Sequence, residues 1–371
     1  MNILNITTVT EWRGGDAQLY TGFKLLEEYK DLNQIILCPE NSILSKKCIQ
    51  DNSKHYTYSK TSKIFSLIKP IIKICRKEKV DLIHVHDSNA LTATLLASVF
   101  LPSKTKIVLS RKRNNRIKDK FLNRYKYSHP KITKIICVSK AVEAIFDTII
   151  KDKSRLVTIY DAIDVTFFSK NKSKGLIHQE FSLPKETLII GNVAALTAQK
   201  DIFTFIDTAR EIMNKKTEDL SLKFVVIGDG DQRPELEKYA ASKNMENDII
   251  FMGFRNNIQE LLPEFDIFLL TSITEGLPLT IYEAFATKIP VVATNAGGIA
   301  EVIENAKTGF VTNLKDSENL AKGVLKILND KQLAETIKTN AYELVLKNHN
   351  LNVMKQNYYR LYKSFTNHTQ H

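Results

Sequence analysis

FDIFLLTSITEGLPLTIYEAFATKIPVVATNAGGIAEVIENAKTGFVT, residues 265–312, is the stretch whose reading decides the fold. The run Asp266-Ile267-Phe268-Leu269-Leu270 is short, apolar and bounded by polar residues, which predicts a buried strand. Thr271 to Leu277 reads as a loop, and Pro278 stands where a helix starts. Its fixed φ suits the first helical position, and its missing N–H is no loss there. The helix is expected to continue through Glu283 to about Thr287. A second apolar strand follows from Ile289 to Thr294, and Gly297-Gly298 is expected to open another helix. Strand, loop, helix, strand is a βαβ unit, with parallel strands and a right-handed crossover.

Doubly wound sheets bind ligands outside the carboxyl ends of their strands. Glu275 and Gly276 occupy that end of the first strand. The N–H groups of Gly276, Leu277 and Leu279, with Pro278 between them, surround a helix start, which suits an anion. Glu283 lies further along the helix among Ile281, Tyr282, Ala284 and Phe285. A carboxylate buried in that setting needs donors, and the vicinal hydroxyls of a ribose supply them.

Glu275-x7-Glu283 within EGLPLTIYEAFATKIPVVAT, followed by Gly297-Gly298, resembles the donor-site signature of family 4 glycosyltransferases. These are retaining enzymes of the GT-B fold. The resemblance implies that Glu275 contacts the donor sugar, that Glu283 binds the nucleotide ribose, and that the backbone from Gly276 to Leu279 holds the diphosphate. It also spans nearly the whole chain. Leu188 to Asp201 resembles the family's phosphate loop, with Lys200 matching its lysine and Ala195 standing where an arginine is usual. Lys288 replaces a usual glycine, at a helix end where glycine serves a left-handed backbone.

The 371 residues suggest two domains, and 43% hydrophobic with 25% charged residues is the composition of a globular protein. Cys38, Cys48, Cys75 and Cys137 lack metal-type pairing and read as reduced thiols. The N-terminus has no signal-peptide pattern, and the least polar stretch, Ala90 to Pro102, is too short for a span. Charge is divided unevenly: residues 1–170 hold 30 Lys+Arg against 16 Asp+Glu, a net +14, and the remainder 23 against 25, a net −2. A basic half attracts polyanions.

In that half, Met1–Thr8 reads as a strand and Ala17 to about Tyr29 as a helix. Between them Gly14-Gly15 resembles the family's first glycine loop, or is simply a strand-to-helix turn. Ser62 to Lys79 mixes apolar residues with lysine at helical spacing, as a crossover helix or a membrane-surface helix. His84 and His86 alternate on the strand Val80–Val85 and point the same way; the resemblance makes His86 a catalytic candidate and His84 a packed residue. Arg111–Lys131 carries nine Lys+Arg in 21 residues with Phe121, Tyr125 and Tyr127 interleaved, which suits single-stranded nucleic acid, an anionic membrane surface or a phosphorylated acceptor, or is simply a solvated basic loop and helix; Arg111, Lys112, Arg113 and Arg116 are the candidate membrane contact. Asp161-Ala162 stands where the family has Asn-Gly. Asp229-x-Asp231 formally spells a metal–nucleotide motif, but is better read as a glycine turn.

The expected fold is α/β of GT-B type: two Rossmann-like doubly wound domains facing across a cleft, with the C-terminal helix crossing back to the first. Residues 1–170 with 352–371 would form the acceptor-side domain and 176–351 the nucleotide-sugar domain, joined by SKNKSKG at 169–175. The resemblance implies a metal-independent, retaining hexosyltransferase that uses a nucleotide-sugar donor as substrate and needs no cofactor. Its acceptor would be a glycan or lipid-linked glycan, in cell-surface polysaccharide or lipopolysaccharide synthesis. A cytoplasmic location follows, including a peripheral place on the inner face of the plasma membrane. The competing reading is a non-catalytic sugar-nucleotide-binding relative or partner subunit, or a basic nucleic-acid binder; on the first reading nucleic acid is not a partner.

Overall fold

The computed structural model describes residues 1–12, 14–62, 64–118 and 120–366. Arg13 of the first glycine loop and residues 367–371 of the expected C-terminal extension lie outside the described residues. The chain divides into two compact units, Met1–Asp161 with Leu351–His371, and Ala162–Asn350.

The first unit is built on seven strands: β1 (Asn2–Ile6), β2 (Asn33–Pro39), β3 (His55–Tyr58), β4 (Leu82–Val85), β5 (Lys106–Arg111), β6 (Ile132–Cys137) and β7 (Leu156–Thr158). All pairings are parallel, in the order β3-β2-β1-β4-β5-β6-β7. The second unit has six: β8 (Leu188–Val193), β9 (Leu222–Ile227), β10 (Ile249–Gly253), β11 (Ile267–Leu270), β12 (Val291–Thr294) and β13 (Phe310–Thr312). These are also parallel, in the order β10-β9-β8-β11-β12-β13. The apolar runs form parallel strands because helices cover both faces; β4, β11 and β12 are buried at every position. Two Rossmann-like doubly wound domains are therefore present. Each sheet reverses its strand order once, between β1 and β4 and between β8 and β11. Those reversals are where such sheets open a ligand crevice.

The C-terminal helix Leu351–Ser364 belongs to the first unit. Tyr362 Oη lies 2.6 Å from His84 Nδ1, Tyr359 stacks on Tyr29 at 3.8 Å, and Lys355 and Lys363 pair with Glu28 and Asp31 at 2.7 and 2.9 Å. The break between units falls after Asp161, not at the polar run 169–175. The reason is local bonding. Ile163 N–H donates to His349 O at 3.1 Å, the helix Val165–Ser169 packs on the helix Leu279–Ala286, and Lys174 pairs with Glu260 at 2.7 Å. Residues 162–175 are thus fastened to the second unit.

Two boundaries within the deciding stretch differ from expectation. Pro278, with φ −76° and ψ 131°, caps the helix Leu279–Ala286 from outside and is not its first residue. Gly297-Gly298 opens only a 3₁₀ turn, Ile299–Glu301, with Gly297 left-handed at φ +63°. In the first unit the opening helix is Gly14–Leu26, starting earlier than Ala17.

Candidate active site

The loops that follow β8 and β11 meet at the order reversal of the second sheet, and side chains fasten them together. Asn192 Nδ2 donates to Leu269 O at 2.6 Å, tying the ends of the two strands. The buried Thr271 hydroxyl lies 3.2 and 3.0 Å from the carbonyls of Lys200 and Asp201, and Ile273 N–H donates to Gln199 O at 2.9 Å. The β8 loop also leans on the turn after β9: Leu196 N–H donates to Asp229 O at 3.0 Å. A Cβ at Gly228 would overlap the Ala194 carbonyl, and one at Gly230 the Leu196 carbonyl. The Gly-Asp-Gly turn is therefore a seat for the β8 loop. Among the described residues no group of three or more His, Cys, Asp or Glu is placed to hold a metal ion.

This scaffold brings Lys200 and Glu275 into contact, Nζ to Oε1 at 2.6 Å, with side-chain exposures of 25% and 12%. Residues distant in sequence and each expected at a phosphate or sugar are thus neighbours. Next to Glu275, the Gly276 carbonyl accepts from Gly298 N–H at 3.0 Å, so the Gly297-Gly298 turn fixes the loop ahead of the helix. Leu277 is buried, and the following helix presents the N–H groups of Leu279 and Thr280 beside that loop, ahead of the first bond of the turn, Ile281 N–H to Pro278 O at 3.2 Å. A helix N-terminus with a lysine beside it suits an anion. Ala195 is exposed on the same loop.

Glu283 lies on this helix between the buried Tyr282 and Ala284. Among the described residues no hydrogen bond or ion pair reaches its carboxylate, and burial pushes its pKa up to about 7. A carboxyl so placed calls for donors from a ligand. At the far end of the helix Lys288 adopts φ +57°, and Ile289 N–H donates to Ala284 O at 2.8 Å. Lysine therefore occupies a left-handed closing position, and its Nζ lies over the Tyr342 ring at 5.0 Å.

In the first unit the candidates gather at the carboxyl ends of β1, β4 and β5. Gly14 and Gly15 begin the helix after β1, and Gly15 has no side chain where Lys112 passes: a Cβ there would stand 3.7 Å from Lys112 Cδ. His86 follows β4; its N–H donates to Ile6 O at 3.0 Å and its Nε2 lies 3.3 Å from Asn5 Oδ1. Its Nδ1 is buried with no partner among the described residues. Burial, with His84 and Lys112 nearby, lowers its pKa well below the usual histidine value, so the ring is neutral. His84 is packed, 1% exposed between Tyr362 and Ser110.

Lys112 does not belong to a surface patch. Its side chain is 17% exposed and ion-pairs with the buried Asp161, which explains why an aspartate can stand there. Arg111 is also turned inward and donates to Asn115 O and Oδ1 at 2.8 and 2.9 Å, whereas Arg113 and Arg116 are exposed. Sequence reasoning missed this pairing because nothing in a run of lysines and arginines marks which one turns in. It also missed Thr271, an ordinary threonine until the two loops are seen side by side.

Two family models match consecutive parts of the chain: Glycosyltransferase Family 4 over residues 38–167 and Glycosyl transferases group 1 over 173–344. The chain belongs to glycosyltransferase family 4. This glycosyltransferase is 26% identical over 327 residues to the UDP-Gal:alpha-D-GlcNAc-diphosphoundecaprenol alpha-1,3-galactosyltransferase of Escherichia coli, with 84% of each chain covered. It is 23% identical to the N-acetyl-alpha-D-glucosaminyl L-malate synthase of Bacillus anthracis, over 76% of this chain and 74% of that one. Its fold matches Anabaena HepE, crystallised with UDP and glucose, at a TM-score of 0.83 and 19% identity, covering 98% of this chain and all of HepE.

Proposed function

We propose that this glycosyltransferase is a retaining enzyme that moves a sugar from a UDP-sugar to a glycan or lipid-linked acceptor in cell-surface polysaccharide synthesis, without a resident metal ion. The observation that carries the reading is the Lys200–Glu275 contact at 2.6 Å beside the helix start that follows Leu277, with Glu283 further along the same helix and without a partner among the described residues. Diphosphate belongs over the N–H groups and Lys200, ribose at Glu283, and the sugar at Glu275. When the bond from the anomeric carbon to the diphosphate oxygen breaks, negative charge grows on that oxygen. Lys200 and the oriented N–H groups are already aimed there, which lowers the barrier without reorganisation. The acceptor hydroxyl bonds to the anomeric carbon on the face the diphosphate leaves, and its proton passes to the departing phosphate.

The uridine nucleotide is supported by the galactosyltransferase named for UDP-Gal and by HepE, which holds UDP. The galactosyltransferase and the L-malate synthase act on unlike acceptors, a lipid diphosphate and malate, as their names state. The exposed Arg113 and Arg116, on a half carrying net +14, support an acceptor that bears phosphate. His86, neutral and with its Nδ1 unpartnered among the described residues, is a hydrogen-bonding group for a sugar hydroxyl on that side.

The test is a transfer assay with UDP-sugars and undecaprenyl-diphosphate-linked acceptors, with the anomeric configuration of the product read by NMR. Product of retained configuration, formed equally in the presence of a chelator, is expected. An inverted product or dependence on added metal would contradict the mechanism, and nucleotide binding without transfer to any acceptor would favour a non-catalytic relative.

A further inference from the structure

We propose that the outer helix layer of the first unit is a docking surface for an anionic lipid bilayer, centred on the helix Phe65–Lys77. This helix buries one face, Leu67, Ile71, Ile74 and Cys75, in the core of its unit. It carries a second apolar row, which opens on the exposed Phe65 and continues in Ile68 and Ile72, both partly buried against the same core. Phe65, Ile68 and Ile72 follow at helical spacing, with Phe65 75% exposed, and with Lys69, Lys73 and Arg76 they line a shallow groove of about 860 Å³. No acidic residue occurs from Thr61 to Lys77, and Glu78 just beyond is already bonded to Lys54 and to Tyr56.

The neighbouring helices extend the pattern. Ser88–Ala97 packs on Phe65–Lys77 and ends in a turn that exposes Val99 and Phe100, 78% and 61%. Phe121–Ser128 exposes Phe121 and Leu122, 81% and 75%, and is tied to the second helix by Lys126 Nζ, 2.6 Å from Ser88 O. Leu67, Ile71, Ala90, Ala97 and Tyr127 from the three helices enter one core, so the helices cover one face of the sheet.

Exposed aromatic and aliphatic residues interleaved with lysine are what an interfacial helix presents. Anionic headgroups answer the lysines while the acyl boundary takes Phe65 and its neighbours. A second copy fits worse, because a symmetric interface would set the same basic rows against each other. Arg111 and Lys112, turned inward, are not part of this surface. The inference does not rest on the donor reading.

Flotation of the full chain with vesicles tests it. The protein is expected to float with phosphatidylglycerol–phosphatidylcholine vesicles at low salt, to be released by high salt, and not to float with phosphatidylcholine alone. Phe65→Ser with Ile72→Ser, and separately Lys69→Gln with Lys73→Gln, should each weaken binding by about tenfold or more at an unchanged melting temperature. If the first pair unfolds the protein, the second alone decides. Wild-type protein that stays unbound, variants that float like wild type, or RNA held in preference to vesicles would overturn the proposal. So would a dimer seen by sedimentation and lost in the variants. UDP titration needs no vesicles, so a failure here leaves the donor reading standing.

Discussion

Lys200 and Glu275 neutralise each other at 2.6 Å in a partly shielded setting, and a diphosphate placed there shares the ammonium. With alanine at position 195, Lys200 is the cation this loop offers, so Lys200→Ala should lower turnover by more than tenfold, over ~1.4 kcal/mol of barrier. Near-normal turnover in a single-turnover assay would show that another cation holds the leaving group. Ala195→Arg should raise turnover if the site is a weakened form of the family's. Glu283 supplies a pH signature. Its carboxyl titrates near about 7 without ligand, and ribose hydroxyls favour its charged form, so nucleotide binding should expel a proton at pH 6. Affinity should rise with pH up to about 7 and then level, and Glu283→Gln should be flat. Calorimetry in two buffers of different ionisation enthalpy reads the released proton directly.

The loop after β8 keeps its shape because Gly228, at φ +142°, lets the Ala194 carbonyl approach. Gly228→Ala combines a collision with a backbone region that alanine avoids, and should destabilise the protein by about 2–3 kcal/mol while weakening nucleotide binding. Chemical denaturation and titration check both, and an unchanged midpoint would mean the loop is not seated there. The β11–helix–β12 unit was legible in the sequence, since a short apolar run, a proline near the helix start and a second apolar run admit little else. The left-handed helix end at Lys288 was legible too, from the glycine usual at that place. Less local facts were not. Nothing in the residues after Gly298 marks a turn of only three residues, and the Lys112–Asp161 pair joins residues 49 apart whose types alone suggest solvent. Both candidate glutamates were legible; that Glu275 meets Lys200 required the two loops to be seen together.

Across the whole chain, buried histidines set an acid limit. Desolvation lowers the pKa of His84 in the first unit to about 3 and that of His349 in the second to about 4, against ~6.5 in an unfolded chain. The unfolded chain therefore takes up protons first as pH falls, so this stability is complete above ~6.5 and is lost below it. Glu283 acts oppositely: with its folded pKa raised from 4.5 to about 7, its contribution is present at low pH and lost as pH rises through that window. Two histidines outweigh one carboxyl, so the melting temperature should fall from pH 7 to pH 5, and more steeply in Glu283→Gln. A rising melting temperature over that range would mean the imidazoles are not held neutral. Among the described residues no helix is long and apolar enough to cross a membrane. The boundary between units was misplaced by the polar run 169–175 because composition marks exposed chain and not which core that chain is tied to. The central claim is that the crevice between the β8 and β11 loops holds a nucleotide through a carboxylate that has no partner among the described residues. Calorimetric titration of UDP at pH 8 into wild type and Glu283→Ala tests it most directly. The predicted result is a loss of roughly 1.5–3 kcal/mol in the variant, at least tenfold in Kd, with the fold intact. Equal affinity in the two proteins would contradict it.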